Sequence, residues 1–293
     1  MYHHLLQGCR LHSSHSAGHA ATSRRGKIKM EAATSNPSSK RIALVSGGNK
    51  GIGLEMCRQL ASKGLKVVLT ARNEARGLEA VEGVRRSGAD VVFHQLDVTD
   101  PDSVARLADF VRDQFGKLDI LINNAGISGV DRDPVLFAQV QEQVESMDLS
   151  SSGRIVNVSS GFSLLRNFNS EELKKEFDDI DNLSEKRLEE LLDLFLEDFK
   201  ANLIEAHGWP TGGSSAYKVA KAALNAYTRI LAKTFPPMRI NCLTPGFVKS
   251  DMSMHMGVLT PEEGASNLVK VALLPDDGPT GAYFDRDGVA SFV

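Results

Sequence analysis

The chain has 293 residues, 42% of them hydrophobic, with a formal net charge of -3 and three cysteines. This suits one large α/β domain, or two small ones, with a substantial core. The slight acidity leaves no electrostatic case for nucleic acid, and no apolar run approaches the roughly 18 residues of a membrane span. Cys9, Cys57 and Cys242 are far apart and odd in number, which argues for a reducing compartment and against a disulfide frame or zinc site.

Residues 1–39 differ in kind from the rest. They hold five of the eight histidines (His3, His4, His12, His15, His19), many Ser and Ala, and no acid before Glu31. The composition predicts a leader without structure ahead of a cytoplasmic protein. Other readings are a transit peptide directing it to an organelle, a true start at Met30, and metal binding by the histidines, whose spacing is irregular.

Arg41–Ser46 (RIALVS) is a short apolar strand that runs into Gly47-Gly48-Asn49-Lys50-Gly51-Ile52-Gly53. A helix follows from about Ile52 to Lys63. Glycines let the backbone turn tightly and approach a pyrophosphate at the positive helix end, so strand, turn and helix together form a dinucleotide-binding start. Leu65–Thr70 is the second strand and ends in Ala71-Arg72. A site for NAD carries an acid near this point. Arg72, together with Lys50, instead favours a 2′-phosphate and hence NADP(H), unless Arg72 is an ordinary surface charge.

Asn73–Arg86 reads as a helix, and Val91–Gln95 as a third strand followed by Leu96-Asp97-Val98. Asp97 lies just past a strand end, where an adenine amino group is within reach. Thr99 or Asp100 caps the next helix, Pro101 stands in its first turn, and it runs to about Phe115. Leu118–Ile122 is a fourth buried strand leading into Asn123-Asn124-Ala125-Gly126. Gly153–Ser159 is a fifth strand, and Arg239–Leu243 is a sixth. Thr260-Pro261-Glu262-Glu263 starts a helix to about Leu273, and Ala282–Asp285 closes the sheet. Strands alternating with helices predict an α/β fold with a doubly wound parallel sheet.

Ala216–Lys233 is a helix rich in Ala, Leu and Lys, with Val219, Ala223, Ala226 and Ile230 facing inward. Tyr217 and Lys221 lie four apart and share a face. A free tyrosine has a pKa of roughly 10. A fixed ammonium nearby lowers it, and a phenol tuned in this way exchanges a proton with a substrate oxygen.

The motifs SGGNKGIG, LDV, NNAG, RIVNVSS, YKVAK and PGFVKS stand in the order and spacing of the short-chain dehydrogenase/reductase family. From about Lys40 to Val293 the chain resembles its monomeric carbonyl-reductase-like branch. The resemblance implies one NADP(H)-binding Rossmann domain over 40–293. It implies hydride transfer between the nicotinamide and a small carbonyl or alcohol substrate, with no metal, nucleic acid or membrane involved. It also implies that Ser160 hydrogen-bonds the substrate carbonyl, with Ser159 as the competing choice. Tyr217 donates the proton, and Lys221 lowers its pKa and holds the nicotinamide ribose. For the cofactor it implies Gly47, Asn49, Lys50, Gly51, Ile52 and Gly53 at the turn, Arg72, Asp97 and Val98 by the adenosine, Asn124, Ala125 and Gly126 along its ribose, and Val248 and Ser250 at the nicotinamide. Ser46 replaces the family's usual Thr and keeps the hydroxyl.

Two departures stand out. A helical, acid-rich insertion fills about 163–212, between strand 5 and the catalytic helix, with Leu188, Leu191, Leu192, Leu194 and Phe195 as its apolar face. In this branch such an insertion covers the usual dimer surface, which implies a monomer. The second is a loss. The family's helix between NNAG and NVSS carries an asparagine that steadies the lysine through water, and no asparagine occurs between Asn124 and Asn157. One helix remains, Pro134 to about Leu149. This predicts weakened turnover, or a protein that binds NADP(H) with little catalysis.

Overall fold

The computed structural model describes residues 40–126 and 149–293. Among them eight strands form one sheet: β1 (Ile42–Val45), β2 (Lys66–Ala71), β3 (Val91–Gln95), β4 (Leu118–Asn123), β5 (Leu149–Val158), β6 (Arg239–Leu243), β7 (Tyr283–Phe284) and β8 (Val289–Ala290). Their order is β3-β2-β1-β4-β5-β6-β7-β8, parallel throughout except for the antiparallel β7–β8 pair. The chain builds outward from β1 to β3, then crosses to β4 on the other side. A crevice therefore opens at the carboxyl ends of β1 and β4, where the winding reverses.

The strands are apolar on both sides because helices cover both. Ala43, Val45, Val67 and Leu69 face α1 (Gly51–Ser62), α2 (Glu74–Arg85) and α7 (Pro261–Ala272), packing on Met56, Leu60, Val81 and Leu268. Leu44, Val68 and Ile155 face the other way, toward Val104 and Leu107 of α3 (Pro101–Phe115) and Val219 and Ala223 of α6 (Ser215–Thr234). The alternation follows from the period of two along a strand. Helix ends form where their chemistry predicts. Asp100 accepts from the Asp102 amide to start α3, Gly116 ends it at φ 75°, and Thr260 and Glu263 satisfy each other's amides at the start of α7.

The insertion holds α4 (Glu171–Asp178) and α5 (Glu185–Lys200), capped by Ser170 and Ser184. Leu188, Leu191, Leu192 and Phe195 are buried in the same core as α6. Leu194 is 42% exposed, so it leaves the predicted apolar face. Trp209 is fully buried beside Phe195, with ring centroids 5.3 Å apart, and its indole N–H donates to Asp198 Oδ2 at 2.7 Å.

Two expectations change, and two fall outside the described residues. The fifth strand begins at Leu149 rather than Gly153, with a register shift against β4 between Leu118 and Ile120. The segment expected to close the sheet is followed by β8. The turn between them is held by Asp285 Oδ1, which accepts from the Asp287 and Gly288 amides. The helix expected from Pro134 lies outside the described residues, as does the leader; its expected last residue, Leu149, opens β5.

Candidate active site

Residues 46–53 and 124–126 meet at the crevice. Ser46 Oγ accepts from the backbone amides of Asn124 and Ala125, both at 2.9 Å. In return Asn124 Nδ2 donates to the carbonyls of Ser46 and Gly47, at 2.9 and 3.3 Å. The Ser46 hydroxyl and the Asn124 amide thus join the two loops reciprocally. Gly47 and Gly51 adopt φ of 66° and 55°. A side chain at Gly53 would place its Cβ 2.3 Å from the Gly47 carbonyl, so only glycine lets α1 sit this close to the turn. The first turn of α1 has neither a side-chain cap nor an acid. Its amides and the positive end of its dipole suit an anion, so the residues present fit a dinucleotide phosphate. Ile52 packs on the core, while Asn49 lines a cavity of about 460 Å³ together with Lys50, Arg58, Arg76 and Asp251.

The two predicted cations have separate acidic partners. Lys50 is ion-paired with Asp251, in the segment after β6. Arg72 is exposed, and its charge acts on Asp97. Asp97 Oδ1 accepts from the amide and hydroxyl of Thr99, at 3.0 and 2.7 Å. Burial pushes the Asp97 pKa up, but Thr99 and Arg72 together outweigh it and hold the carboxyl below its usual range. Val98 packs half-buried against the core. Asp251 and Arg76 were not anticipated. The only sequence signal for Asp251 is that it directly follows PGFVKS.

β6 ends in a turn with Gly246 at φ 84°. Val248 is buried, bridges in parallel to Leu259, and accepts from Ser253 Oγ at 2.7 Å. The Ser250 amide donates to the same hydroxyl at 3.0 Å. Ser253, a residue without a predicted role, therefore organises both predicted nicotinamide contacts.

The chemistry-bearing groups gather between the end of β5 and the first turns of α6. Ser160 caps the short 3₁₀ turn Gly161–Ser163, its hydroxyl accepting from the Phe162 amide at 3.2 Å, and it lies close enough to the Tyr217 phenol to lower that phenol's pKa. Ser159 points into the interior, where its hydroxyl donates to Asn225 Oδ1 at 2.6 Å. The geometry therefore separates the two serines and sets Ser160 against the phenol. Lys221 Nζ donates to the Val158 carbonyl at 2.7 Å and lies 5.8 Å from the Tyr217 ring centroid. A Cβ at Gly126 would stand 4.0 Å from that ammonium, so Lys221 also borders the loop after β4.

The titration of this cluster differs from expectation. Burial raises the Tyr217 phenol above its ordinary value, with the Ser160 hydrogen bond pulling down, and Lys221 is not among the causes. The ammonium is engaged by a backbone carbonyl and stands over the ring. Burial lowers Lys221 itself to about 8, with Cys242 acting in the opposite sense.

A family model described as short chain dehydrogenase matches residues 41–140. Short-chain dehydrogenase/reductase 1 of Saponaria officinalis is 43% identical over 90% of this chain and 100% of its own length. The chain belongs to the short-chain dehydrogenase/reductase family. Among other family members, the (+)-neomenthol dehydrogenase of Arabidopsis thaliana is 44% identical over 86% of this chain and 98% of that protein. The solved structure of salutaridine reductase from Papaver somniferum matches with a TM-score of 0.78 at 41% identity, over 84% of this chain and 99% of that one. The sheet, flanking helices and glycine turn described above are those of a Rossmann-type short-chain dehydrogenase/reductase, a family of nicotinamide-dependent oxidoreductases. Among the described residues no cluster of His, Cys, Asp or Glu could hold a metal, and no helix is long and apolar enough to cross a membrane.

Proposed function

We propose that this short-chain dehydrogenase/reductase reduces a ketone or aldehyde to an alcohol with NADPH, or runs the reverse. The observation that carries the reading is the convergence of Ser160, Tyr217 and Lys221 at the end of β5, beside the segment that follows β4. When bound, the reduced nicotinamide supplies the hydride. The Ser160 hydroxyl donates to the substrate carbonyl oxygen, and the Tyr217 hydroxyl gives its proton to the alkoxide as it forms. The Lys221 ammonium, over the Tyr217 ring, offsets the negative charge left on the phenolate. Gly47, Gly51 and Gly53 with Asn124 shape the phosphate cradle, and Lys50 and Arg72, with no acid at the end of β2, support a 2′-phosphate.

The docking of α5 on α6 supports a monomer. We place the protein in the cytoplasm, with residues 1–39 as a leader. An NADPH-oxidation screen over cyclic ketones tests the reading. Turnover that disappears in Tyr217→Phe supports it, and full activity in that variant overturns it.

One observation favours a second reading, a protein that binds NADP(H) with little turnover. No asparagine occurs between Asn124 and Asn157. NADPH binding by calorimetry without turnover on any ketone supports this second reading.

A further inference from the structure

Asn225 lies two helical turns beyond Tyr217 on α6 and is fully buried. A fully buried primary amide must have both ends satisfied to be tolerated. Both are. Oδ1 accepts from Ser159 Oγ at 2.6 Å, and Nδ2 donates to Ser163 Oγ at 2.7 Å. The Ser163 hydroxyl in turn donates to the Ser160 carbonyl, which also accepts from the Tyr283 hydroxyl at 3.4 Å. Ser163 is fully buried and Ser159 nearly so. The amide therefore grips the residue before Ser160 and the one three after it, and through Ser163 reaches Ser160's own backbone. The end of β5 and that turn together carry the Ser160 side chain, which is half-buried and close enough to the Tyr217 phenol to lower its pKa.

We propose that Asn225 is a positioning residue that fixes Ser160 against Tyr217, so that one helix sets both the phenol and the serine opposite it. This rests on the reading of Ser160 and Tyr217 given under Proposed function. It needs no direct contact between Asn225 and substrate. Its value is in preorganisation, since a donor misplaced by about 1 Å costs on the order of 100-fold in rate.

The fold supplies its own comparison. Three residues further along α6, Thr228 Oγ1 accepts from Asn157 Nδ2 at 2.9 Å and donates to the Leu224 carbonyl at 2.6 Å. This second buried tether also joins α6 to β5, but at Asn157, away from the turn that carries Ser160. A merely structural role for Asn225 predicts that Asn225→Leu and Thr228→Val behave alike.

The test measures kcat, KM and NADPH affinity for both variants. We expect Asn225→Leu to lose roughly 10–100-fold in kcat, with KM and cofactor affinity changed less than about threefold. Thr228→Val keeps kcat within about threefold at a comparable loss of melting temperature. Equal losses in both, or full kcat in Asn225→Leu, overturn the proposal. Should Asn225→Leu fail to fold, Ser163→Ala cuts the same arm with less disruption and must lower kcat without raising KM; an unchanged kcat overturns the proposal. If the wild type turns over no ketone, the functional reading fails but the positioning claim is still decided. Ultraviolet difference titration against Tyr217→Phe then reads the phenol alone. Its titration moves upward in Asn225→Leu, where the Ser160 hydrogen bond is lost, and stays in place in Thr228→Val. An unmoved phenol overturns the proposal.

Discussion

The ammonium of Lys221 donates to the carbonyl of Val158 at 2.7 Å, which holds a buried cation at the end of β5. Burial brings its pKa down to about 8. Below that pH the folded and unfolded chains both hold the proton, and folding bears the full cost of burying the charge. As pH rises from about 8 toward the usual lysine range, the folded protein releases the proton first and the cost fades. Lys221→Met should therefore be more stable than wild type near neutrality, by on the order of 3 kcal/mol less the lost hydrogen bond. The advantage should shrink by pH 10. Urea unfolding at pH 7 and pH 10 measures it, and an advantage that does not vary with pH contradicts the assignment. The same substitution should lower ketone reduction by at least about 100-fold.

The raised Tyr217 phenol keeps its proton throughout the neutral range. Its protonated form is the one reduction requires, and its deprotonated form is the one alcohol oxidation requires. Ketone reduction should accordingly hold steady from about pH 6 to 7, below the titration of Lys221, while oxidation climbs with alkaline pH. Paired pH profiles in the two directions give the answer, with Tyr217→Phe flat and near background in both. Oxidation that peaks in acid would refute the assignment of Tyr217.

Lys50 and Asp251 pair on the surface, with both side chains more than half exposed. If Lys50 holds a 2′-phosphate, Asp251 competes with that phosphate for the same cation. Asp251→Asn should tighten NADPH binding by roughly 3–10-fold at low ionic strength and leave NADH binding nearly unchanged. Added salt should erase much of the gain, because exposed charges are screened over about 10 Å at 0.1 M. Calorimetric titration of both nucleotides at two salt concentrations checks this. An equal gain for NADH would separate Asp251 from the 2′-phosphate.

Asp198 is buried in α5 and accepts from Trp209 Nε1 at 2.7 Å and from His207 Nδ1 at 2.8 Å. Asp198→Ala strands the indole N–H in an apolar interior. It should cost about 1–3 kcal/mol, read as a lower urea midpoint. NADPH affinity should stay within about twofold, since α5 packs on the opposite side of the sheet from α1.

The strands and the glycine turn were legible because their signals are local. Apolar runs of four to six residues are bounded by Gly, Asp or Asn, and Ser46 to Gly53 carries its own conformational demand. Leu194 was misassigned because an apolar stripe inferred from spacing alone is wider than the face that α6 covers. β8 was missed because two residues carry no periodicity, although Asp285-Arg286-Asp287-Gly288 is a recognisable turn. Tyr217 and Lys221 could be paired from their spacing. The spacing does not show that the Lys221 ammonium turns to a carbonyl 63 positions away. Asn225 was invisible for the same reason. A polar residue in a helical stripe looks like a surface position until its partners on another element are known.

The single tryptophan is Trp209, and it sits in the insertion, away from the nucleotide cradle. Intrinsic emission is therefore a gauge of whether α4 and α5 remain seated. A red shift at low denaturant, ahead of the loss of far-ultraviolet circular dichroism, would reveal that the insertion peels away before the sheet gives way. The chain thus carries its own optical probe for the seating of the insertion.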